Sequence, residues 1–358
     1  MFDAPRRRTA KSHALLVIVA AVAVLAFAAL IAACGDSETT TSSSPSGDPS
    51  EIRIGYQLIP NGDLIVKDMG WLEEALPNTK ITWIKFDSGG NVNTAMIAGS
   101  IDIGLAGSSP VAAGLSQPMN IAYKVPWIHD VIGAAESLAV RNDSGISDFA
   151  DLKGKKIGTP FGSTAHYSLL AALELNGVDP GDVKIVNLEP QAILAAWQRG
   201  DIDGAYVWNP TLAELKKDGT VLITSADLAK EGKLTADLAV VTNAFADAYP
   251  DAVQTWVEQQ DKAVKLITSD PEAAAEAIGN QLNVTAEEAQ AQMNDLIYLD
   301  ATQQAGADYL GTPEAPGKLA ENLESASQFL LTQNAVEEVP PLTTFQAGLA
   351  NKFVAAIE

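Results

Sequence analysis

The chain has 358 residues, a formal net charge of −22 and a single cysteine. A protein this acidic should not bind nucleic acid or anionic lipid surfaces nonspecifically, because its field repels polyanions. One cysteine excludes a disulfide framework within the chain. The length exceeds what a single hydrophobic core usually supports, so we expect two domains.

The first 33 residues have the organisation of an export signal. Basic residues including Arg7 and Lys11 precede an uncharged run over residues 14–33, which ends directly before Cys34. Because such a run is also long enough to span a bilayer, an uncleaved N-terminal anchor is the alternative interpretation. The small residues before Cys34 resemble the lipobox of bacterial lipoproteins, which implies removal of residues 1–33 and acylation of the Cys34 sulfur. We therefore expect an extracytoplasmic protein that contacts the cell membrane only through its lipid anchor.

The remaining chain is predicted to form a linker and two lobes. Residues 34–50 are mostly Ser, Thr, Gly, Pro and acidic residues with little apolar surface to bury, so we expect a disordered linker. Beyond it, short apolar runs alternate with helical patterns, which is typical of an α/β fold with mostly parallel sheets. We assign residues 51–136 to a first lobe, 137–240 to a second lobe, and 241–358 to a return into the first lobe with C-terminal helices.

The predicted elements follow this division in chain order. The first block has strands at 52–57, 81–86, 101–106 and 121–125, with helices at 63–75, 92–98 and after Ser109. The second block has strands at 156–159, 183–188 and 205–208, with helices at 167–175, 191–199 and 211–217. Helices then follow at 251–267, 271–281, 286–299, 316–331 and 344–357. Extended runs at 137–140 and 238–241 bracket the second block, and we interpret them as hinge crossovers of a clamshell that binds ligand between its lobes.

The sequence offers few groups for catalysis or metal binding. Its histidines are His13, His129 and His166, and they lack both the spacing of a zinc site and a cysteine partner. A Ser/His/Asp arrangement using His166 stays open, although the chain has no G-x-S-x-G nucleophile elbow. We therefore expect no enzymatic activity, no metal and no cofactor.

Three predicted strand ends lead into short polar turns followed by a helix. The turns contain Ser88, then Ser108 and Ser109, then Ser163 and Thr164. Free N–H groups at a helix start, with hydroxyls beside them, bind an oxyanion without Lys or Arg. The alternative for each turn is an ordinary helix N-cap, since Ser and Thr are favoured there. Convergence of the three turns on one cleft would favour ligand binding.

Several segments carry a family resemblance. Residues 163–173 (STAHYSLLAAL) and 195–208 (AAWQRGDIDGAYVW) resemble the taurine-binding periplasmic proteins of ABC importers, as do residues 85–89 (KFDSG) and 107–110 (GSSP). The resemblance covers residues 51–358. It implies an α/β two-lobed periplasmic-binding-protein type II clamshell, each lobe a mostly parallel sheet flanked by helices. It also implies a monomer that delivers its solute to a membrane permease and its ATPase.

The resemblance further implies taurine or a related small sulfonate as ligand. Glu136 and Asp237 match acidic positions of the family and are expected to bind the ammonium group; a solvated or capping acid is the alternative for each. Two buried carboxylates repel each other unless a cation lies between them. Trp208 is expected to cover the ethylene segment, or else to pack in the core. The sulfonate is expected to accept hydrogen bonds from the side chains or helix starts of Ser108, Ser109 and Thr164, with Ser88, Ser163 and Gln57 assisting.

Two alternatives stay open. The residues around Glu136 and Thr164 depart from those of taurine binders, and residues 127–133 form what we interpret as an unusual loop. Another oxyanion, such as an alkanesulfonate, an aminoethylphosphonate or nitrate, is therefore the first alternative. The second is an enzyme on the same fold that resembles the pyrimidine-precursor synthases, with His166 as its reactive group.

Overall fold

The computed structural model describes residues 47–357, so the predicted signal and Cys34 lie outside the described residues. The strands in this range are β1 (Glu51–Tyr56), β2 (Lys80–Lys85), β3 (Ile103–Gly107), β4 (Tyr123–Ile132), β5 (Glu136–Arg141), β6 (Lys156–Thr159), β7 (Lys184–Asn187), β8 (Gly204–Trp208), β9 (Gly219–Thr224), β10 (Ala236–Thr242) and β11 (Leu296–Ile297). The α-helices are α1 (Gly62–Met69), α2 (Trp71–Ala75), α3 (Gly89–Ile97), α4 (Ser108–Leu115), α5 (Thr164–Leu175), α6 (Pro190–Arg199), α7 (Thr211–Leu215), α8 (Ser225–Lys230), α9 (Asn243–Ala248), α10 (Pro250–Ser269), α11 (Pro271–Leu282), α12 (Ala286–Met293), α13 (Ala301–Gln304), α14 (Leu319–Thr332), α15 (Leu342–Ala347) and α16 (Lys352–Ala355).

Two sheets define the two lobes. The first lobe contains a six-stranded sheet in the order β11-β4-β10-β3-β1-β2, and the second a five-stranded sheet in the order β7-β6-β8-β5-β9. Both sheets are mixed, which corrects the expectation of mostly parallel strands. β1 runs parallel to β2 and β3, and β6 runs parallel to β7 and β8, whereas the remaining pairs are antiparallel. The antiparallel pairs arise because β4, β5 and β10 carry the chain between lobes instead of following a βαβ crossover.

The two predicted crossover runs each belong to one sheet. β5 pairs with β8 and β9 in the second lobe, and β10 pairs with β3 and β4 in the first. The chain therefore passes between lobes in the short connection from β4 to β5 and again between α8 and β10. We expected the second lobe to end at residue 240. In the structure β10 pairs with first-lobe strands from Ala236 onward, so the chain is back in the first lobe before that residue.

Long-range pairing accounts for the elements that sequence patterns misjudged. Residues 127–132, expected as a loop, continue strand β4 because they pair with β10. The helix expected over 286–299 ends at Met293, since Leu296 and Ile297 instead pair with Ile132 and Val131. Strand β9 was not predicted; it forms an edge beside β5.

The described residues begin inside the predicted linker, and the last two linker residues already form hydrogen bonds with the first lobe. Pro49 is buried, and its carbonyl accepts a hydrogen bond from the Thr79 hydroxyl at 2.8 Å. The Ser50 carbonyl accepts the backbone N–H of Lys80 at 3.0 Å, extending the β1–β2 ladder by one residue. None of the helices in residues 47–357 has the length and apolar character needed to span a membrane.

In both lobes an aspartate between a helix and the next strand binds the backbone of a neighbouring strand; it lies between α3 and β3 in the first lobe and between α6 and β8 in the second. The Asp102 carboxylate accepts the backbone N–H of Arg53 at 2.8 Å, and the Asp203 carboxylate accepts that of Lys156 at 2.8 Å. The second-lobe helix α6 ends at Gly200 with φ of 72°, a conformation that strains other residues. The Gly-Asp-Ile-Asp-Gly stretch that carries part of the resemblance thus fixes the amino end of β8, and the opposite end of that strand reaches the cleft.

Candidate ligand-binding site

A cavity lies between the lobes, at the carboxyl ends of the central strands. Its first-lobe wall consists of Gln57, Ile59, Pro60, Gly89, Gly107, Pro110, Ile132, Asp237 and Leu296. Its second-lobe wall consists of Ala135, Glu136, Ser163, Thr164, Trp208 and Asn209. No lysine, arginine or histidine is among these lining residues, so the charged groups of the wall are acidic.

Three helix starts contribute to this wall, as the three polar turns suggested. Gly89 begins α3, Gly107 precedes α4, and Ser163 and Thr164 begin α5. The Ser163 hydroxyl also acts as an ordinary N-cap, accepting the backbone N–H of His166 at 3.1 Å. Three helix starts, each carrying a partial positive charge, therefore border one cavity whose wall has no basic side chain.

The serines of the first two turns are placed differently from the expectation. Ser88, Ser108 and Ser109 are buried but do not line the cavity. The Ser88 hydroxyl donates to Glu189 at 3.3 Å, and the Ser108 hydroxyl accepts the backbone N–H of Ala236 at 3.2 Å. Ser109 borders a neighbouring cavity, which is also lined by Phe161 and His166. These two turns therefore border the cavity through Gly89, Gly107 and Pro110 and not through their serines.

Gln57 and Trp208 both line the cavity. The Gln57 amide donates to the Leu105 carbonyl at 3.0 Å, which fixes its orientation and leaves one N–H for another acceptor. Trp208 ends β8, is half-buried and packs against the second-lobe core, so it serves the core and the cavity wall together. The apolar part of the wall is completed by Ile59, Ile132 and Leu296.

Glu136 is buried at the cavity wall, and both of its carboxylate oxygens accept hydrogen bonds from hydroxyl groups. Thr164 donates to its Oε2 at 2.6 Å, while Ser168 and Ser225 donate to its Oε1 at 3.2 and 2.9 Å. Burial raises the pKa of Glu136 to about 7, and the three hydroxyl hydrogen bonds oppose that rise. All three donors belong to the second lobe, so Glu136 joins β5 to helices α5 and α8.

Asp237 lines the cavity and stands opposite a carboxyl that sequence reasoning missed. In the β4–β10 register Asp237 pairs with Asp130, which is fully buried. Burial, followed by the charge of Glu136, raises the pKa of Asp237 to about 8. Burial and repulsion from both other carboxyls hold the pKa of Asp130 well above its usual range. The available signal was a lone acid within the apolar run of residues 125–132, which indicates a buried charge once that run is recognised as a strand.

Asn209 is a second missed residue of the wall. It follows Trp208 at the end of β8 and is buried. Its amide nitrogen lies 3.5 Å from Asp295, and its side-chain oxygen has no hydrogen-bond partner in the described part of the chain. Asn209 therefore brings to this wall a buried acceptor that has no donor among the described residues.

The lobes contact each other closely around the cavity. A side chain at Gly107 of the first lobe would clash with the methyl group of Thr164 from the second. Asn91 donates across the cleft to Glu189 at 3.1 Å. Tyr167 and Phe329 meet edge to face with ring centroids 4.9 Å apart. The structure therefore represents a closed arrangement of the clamshell.

His166 lies outside the ligand cavity. Its ring stacks on Phe161 with centroids 4.5 Å apart and lines the neighbouring cavity together with Ser109. Burial lowers the pKa of His166 to about 4, so the ring is neutral at physiological pH. Nothing in this arrangement presents the imidazole to a ligand held between Glu136 and Asp237.

Comparison with known proteins places this geometry in context. The chain is 45% identical over 192 residues to the taurine-binding periplasmic protein of Escherichia coli (strain K12), a match that covers 54% of this chain and 59% of that protein. It is 32% identical over 252 residues to a protein of Bacillus subtilis (strain 168) named for binding aliphatic sulfonates, covering 68% of this chain and 72% of the relative.

Solved structures share the fold at lower identity. The alkanesulfonate-binding protein SsuA from Xanthomonas axonopodis pv. citri, bound to MOPS, superposes with a TM-score of 0.69 at 22% identity, covering 85% of this chain and 99% of that one. The desulfurization enzyme DSZB superposes with a TM-score of 0.61 at 18% identity, covering 86% and 98%. These likenesses confirm the two-lobed α/β clamshell. The family model described as NMT1/THI5 like matches residues 53–274, and the chain belongs to that family.

Proposed function

We propose that this protein is the solute-binding component of an ABC importer and that it binds taurine between its lobes. The observation that carries the proposal is the composition of the cavity wall: three helix starts, two carboxyls and no basic side chain. A simple anion would meet uncompensated negative charge there, whereas a zwitterion brings its own cation. The taurine-binding and sulfonate-binding relatives support the same ligand class.

The proposed roles follow from which polar groups are already occupied. The helix starts at Gly89, Gly107 and Thr164 bind the sulfonate, because their N–H groups supply donors without a counter-charge. Asp237 is the main partner of the ammonium, since hydroxyls already occupy both oxygens of Glu136. Glu136 contributes its charge at longer range.

The remaining wall suits the hydrocarbon segment of taurine. Trp208 covers it from the second lobe, and Ile59 and Ile132 do so from the first. The free oxygen of Asn209 is a further acceptor for the ammonium. Closure of the lobes then removes the ligand from water, which strengthens each of these polar contacts.

In the cell, we propose that the closed protein delivers its solute to a membrane permease and its ATPase. It performs no covalent step and acts as a monomer outside the cytoplasm. Attachment to the membrane through acylated Cys34 is part of the same proposal and rests on the sequence before that residue.

Calorimetric titration tests the ligand. We expect taurine to bind more tightly than ethanesulfonate by more than about tenfold, because ethanesulfonate leaves the buried carboxyls without a cation. Aminoethylphosphonate serves as the comparison for the oxyanion. Equal affinities for taurine and ethanesulfonate would remove the argument for an ammonium site, and tighter binding of aminoethylphosphonate would reassign the ligand.

A further inference from the structure

Asp130 lies behind the cavity wall and has no role in the function proposed above. It stands directly opposite Asp237 on the neighbouring antiparallel strand. Residues in this relation project to the same face with Cβ atoms about 4.5–5.5 Å apart. Because Asp130 is fully buried and Asp237 borders the cavity, Asp130 meets a ligand only through Asp237.

The surroundings of Asp130 offer no partner for a charged carboxylate. Neither of its oxygens accepts a hydrogen bond from a donor in residues 47–357. The group within hydrogen-bonding reach is the Asp237 carboxyl. Two carboxyls form a hydrogen bond only when one of them carries a proton, and two adjacent buried carboxylates cannot both ionise at little cost.

The other titratable groups around this pair do not supply a positive charge. Glu136 on β5 adds negative charge to both aspartates. The Tyr298 hydroxyl, just beyond β11, donates to the Pro60 carbonyl at 2.8 Å, and burial and the charge of Asp130 raise its pKa, so it stays neutral. His129 on β4 contacts Asp63 at 3.7 Å instead, and burial lowers the pKa of His129 to about 3.

We infer that Asp130 and Asp237 share one proton in the empty site, and that this proton passes to solvent when the cationic group of a ligand enters the cavity. The ammonium takes the place of the proton, so both carboxylates ionise and the total charge of the pair plus its counter-charge is unchanged. Asp130 is thus a positioning residue that acts through Asp237. The inference rests on the proposed function, because only a ligand with a cation supplies the replacing charge.

Binding of such a ligand should then depend on pH in a defined direction. The shared proton must be removed before the ammonium binds, so affinity rises with pH for as long as the empty pair holds that proton. Burial raises the pKa of both aspartates, so we expect taurine affinity to increase by up to about tenfold per pH unit through neutral pH. Ethanesulfonate, which has no cation, should show no such increase.

Titration calorimetry in buffers of different ionisation enthalpy counts the proton directly. At pH 7 we expect the aspartate pair to release about one proton per taurine bound, and Glu136, whose pKa of about 7 leaves it partly protonated, to release a fraction of a proton more. Asp130→Asn should remove the proton of the pair and flatten the pH profile to about threefold per unit or less. Glu136→Gln should remove only the smaller fraction, which separates the aspartate pair from the third carboxyl. The exposed Asp247→Asn is the matched control and should behave as wild type.

The outcomes separate this inference from the proposed function. Tight taurine binding without proton release, or an unchanged release in Asp130→Asn, overturns the shared proton and leaves the ligand assignment standing. Failure of taurine to bind at any pH overturns the ligand assignment itself. If Asp130→Asn does not fold, the wild-type count together with the Glu136→Gln result still decides: release lost with Glu136 overturns the inference.

Discussion

Two environments for buried carboxyl groups meet at the cleft. Glu136 accepts three hydroxyl hydrogen bonds from its own lobe, whereas Asp130 meets no donor within residues 47–357 and lies opposite Asp237. Burial raises the pKa of all three groups, but the hydroxyls oppose the rise at Glu136 and none does so at Asp130. Burial alone therefore does not mark a ligand-binding acid; the donors already present decide whether a carboxyl is engaged by the fold or available to a ligand.

The largest effect is expected from Asp237→Asn. Removing one partner of a desolvated charge pair costs on the order of 2–5 kcal/mol, or roughly 30-fold to several thousandfold in taurine affinity. Ethanesulfonate binding should be unchanged or tighter, because the variant removes a negative charge from the cavity. Titration calorimetry with both ligands measures the difference. Equal losses for the two ligands would mean that Asp237 supports the cavity without recognising the ammonium.

Glu136→Gln tests the other side of the comparison through stability. A glutamine cannot accept all three hydroxyl bonds, so we expect the empty variant to unfold about 1–3 kcal/mol more easily at pH 5. A carboxyl whose pKa rises on folding stabilises the protein below its unfolded pKa of 4.5, and that contribution is lost as pH rises through about 7. The stability difference between wild type and variant should therefore shrink from pH 5 to pH 8. Denaturant unfolding at several pH values measures it.

Titrating groups that do not interact with Glu136 act equally in both proteins and cancel in that difference. Asp130 and Asp237 do not cancel, because the variant removes the repulsion by which Glu136 raises their pKa values, and this adds to the shrinkage. His129, whose pKa burial lowers to about 3, loses stabilisation as pH falls below 6.5 in wild type and variant alike. A difference that grows from pH 5 to pH 8 would show that Glu136 is stabilised as a charged group, contrary to its environment in the structure.

The proposed binding also requires the two lobes to close over the cavity, and Gly107→Ala should weaken that closure. The backbone at Gly107 has a φ of −65° that alanine adopts freely, so the added methyl acts only through its clash with Thr164 of the other lobe. We expect a loss of about 1–3 kcal/mol in taurine binding, since overpacking of a closed interface has this magnitude. Gly90→Ala is the matched control, because its methyl would lie 3.6 Å from the Phe161 carbonyl, an ordinary contact. Similar losses in both variants would point to damage within the first lobe.

The smallest effect is expected from Ser109→Ala. The sequence suggested a hydroxyl contact with the sulfonate, but Ser109 borders the neighbouring cavity. We expect taurine affinity to change by less than about threefold, within the usual range for a substitution away from a ligand. A loss above tenfold, measured by the same titration, would place the Ser109 hydroxyl at the ligand and revise the assignment of the oxyanion site to backbone groups.

Much of the site was accessible from the sequence because it depends on local patterns. The helix starts after Gly89, Gly107 and Ser163 follow from small polar residues between a strand and a helix, and all three turns reach one cavity. Glu136 and Asp237 also reach its wall. Asp130 was missed because residues 127–133 were predicted as a loop, and only the pairing with β10 shows that they continue a strand.

By itself, the sequence determined the alternation of strands and helices, the two-lobed fold and the acidic residues near the crossovers, because periodicity, turn residues and charge act over a few neighbouring positions. Only the tertiary structure decided that Asp130 lies opposite Asp237 and that Glu136 accepts hydrogen bonds from hydroxyl groups. It also decided that Ser109 borders the neighbouring cavity instead of the cavity between Glu136 and Asp237. Strand register and burial bring together residues more than a hundred positions apart, and no local pattern in the chain specifies which of those distant side chains will meet.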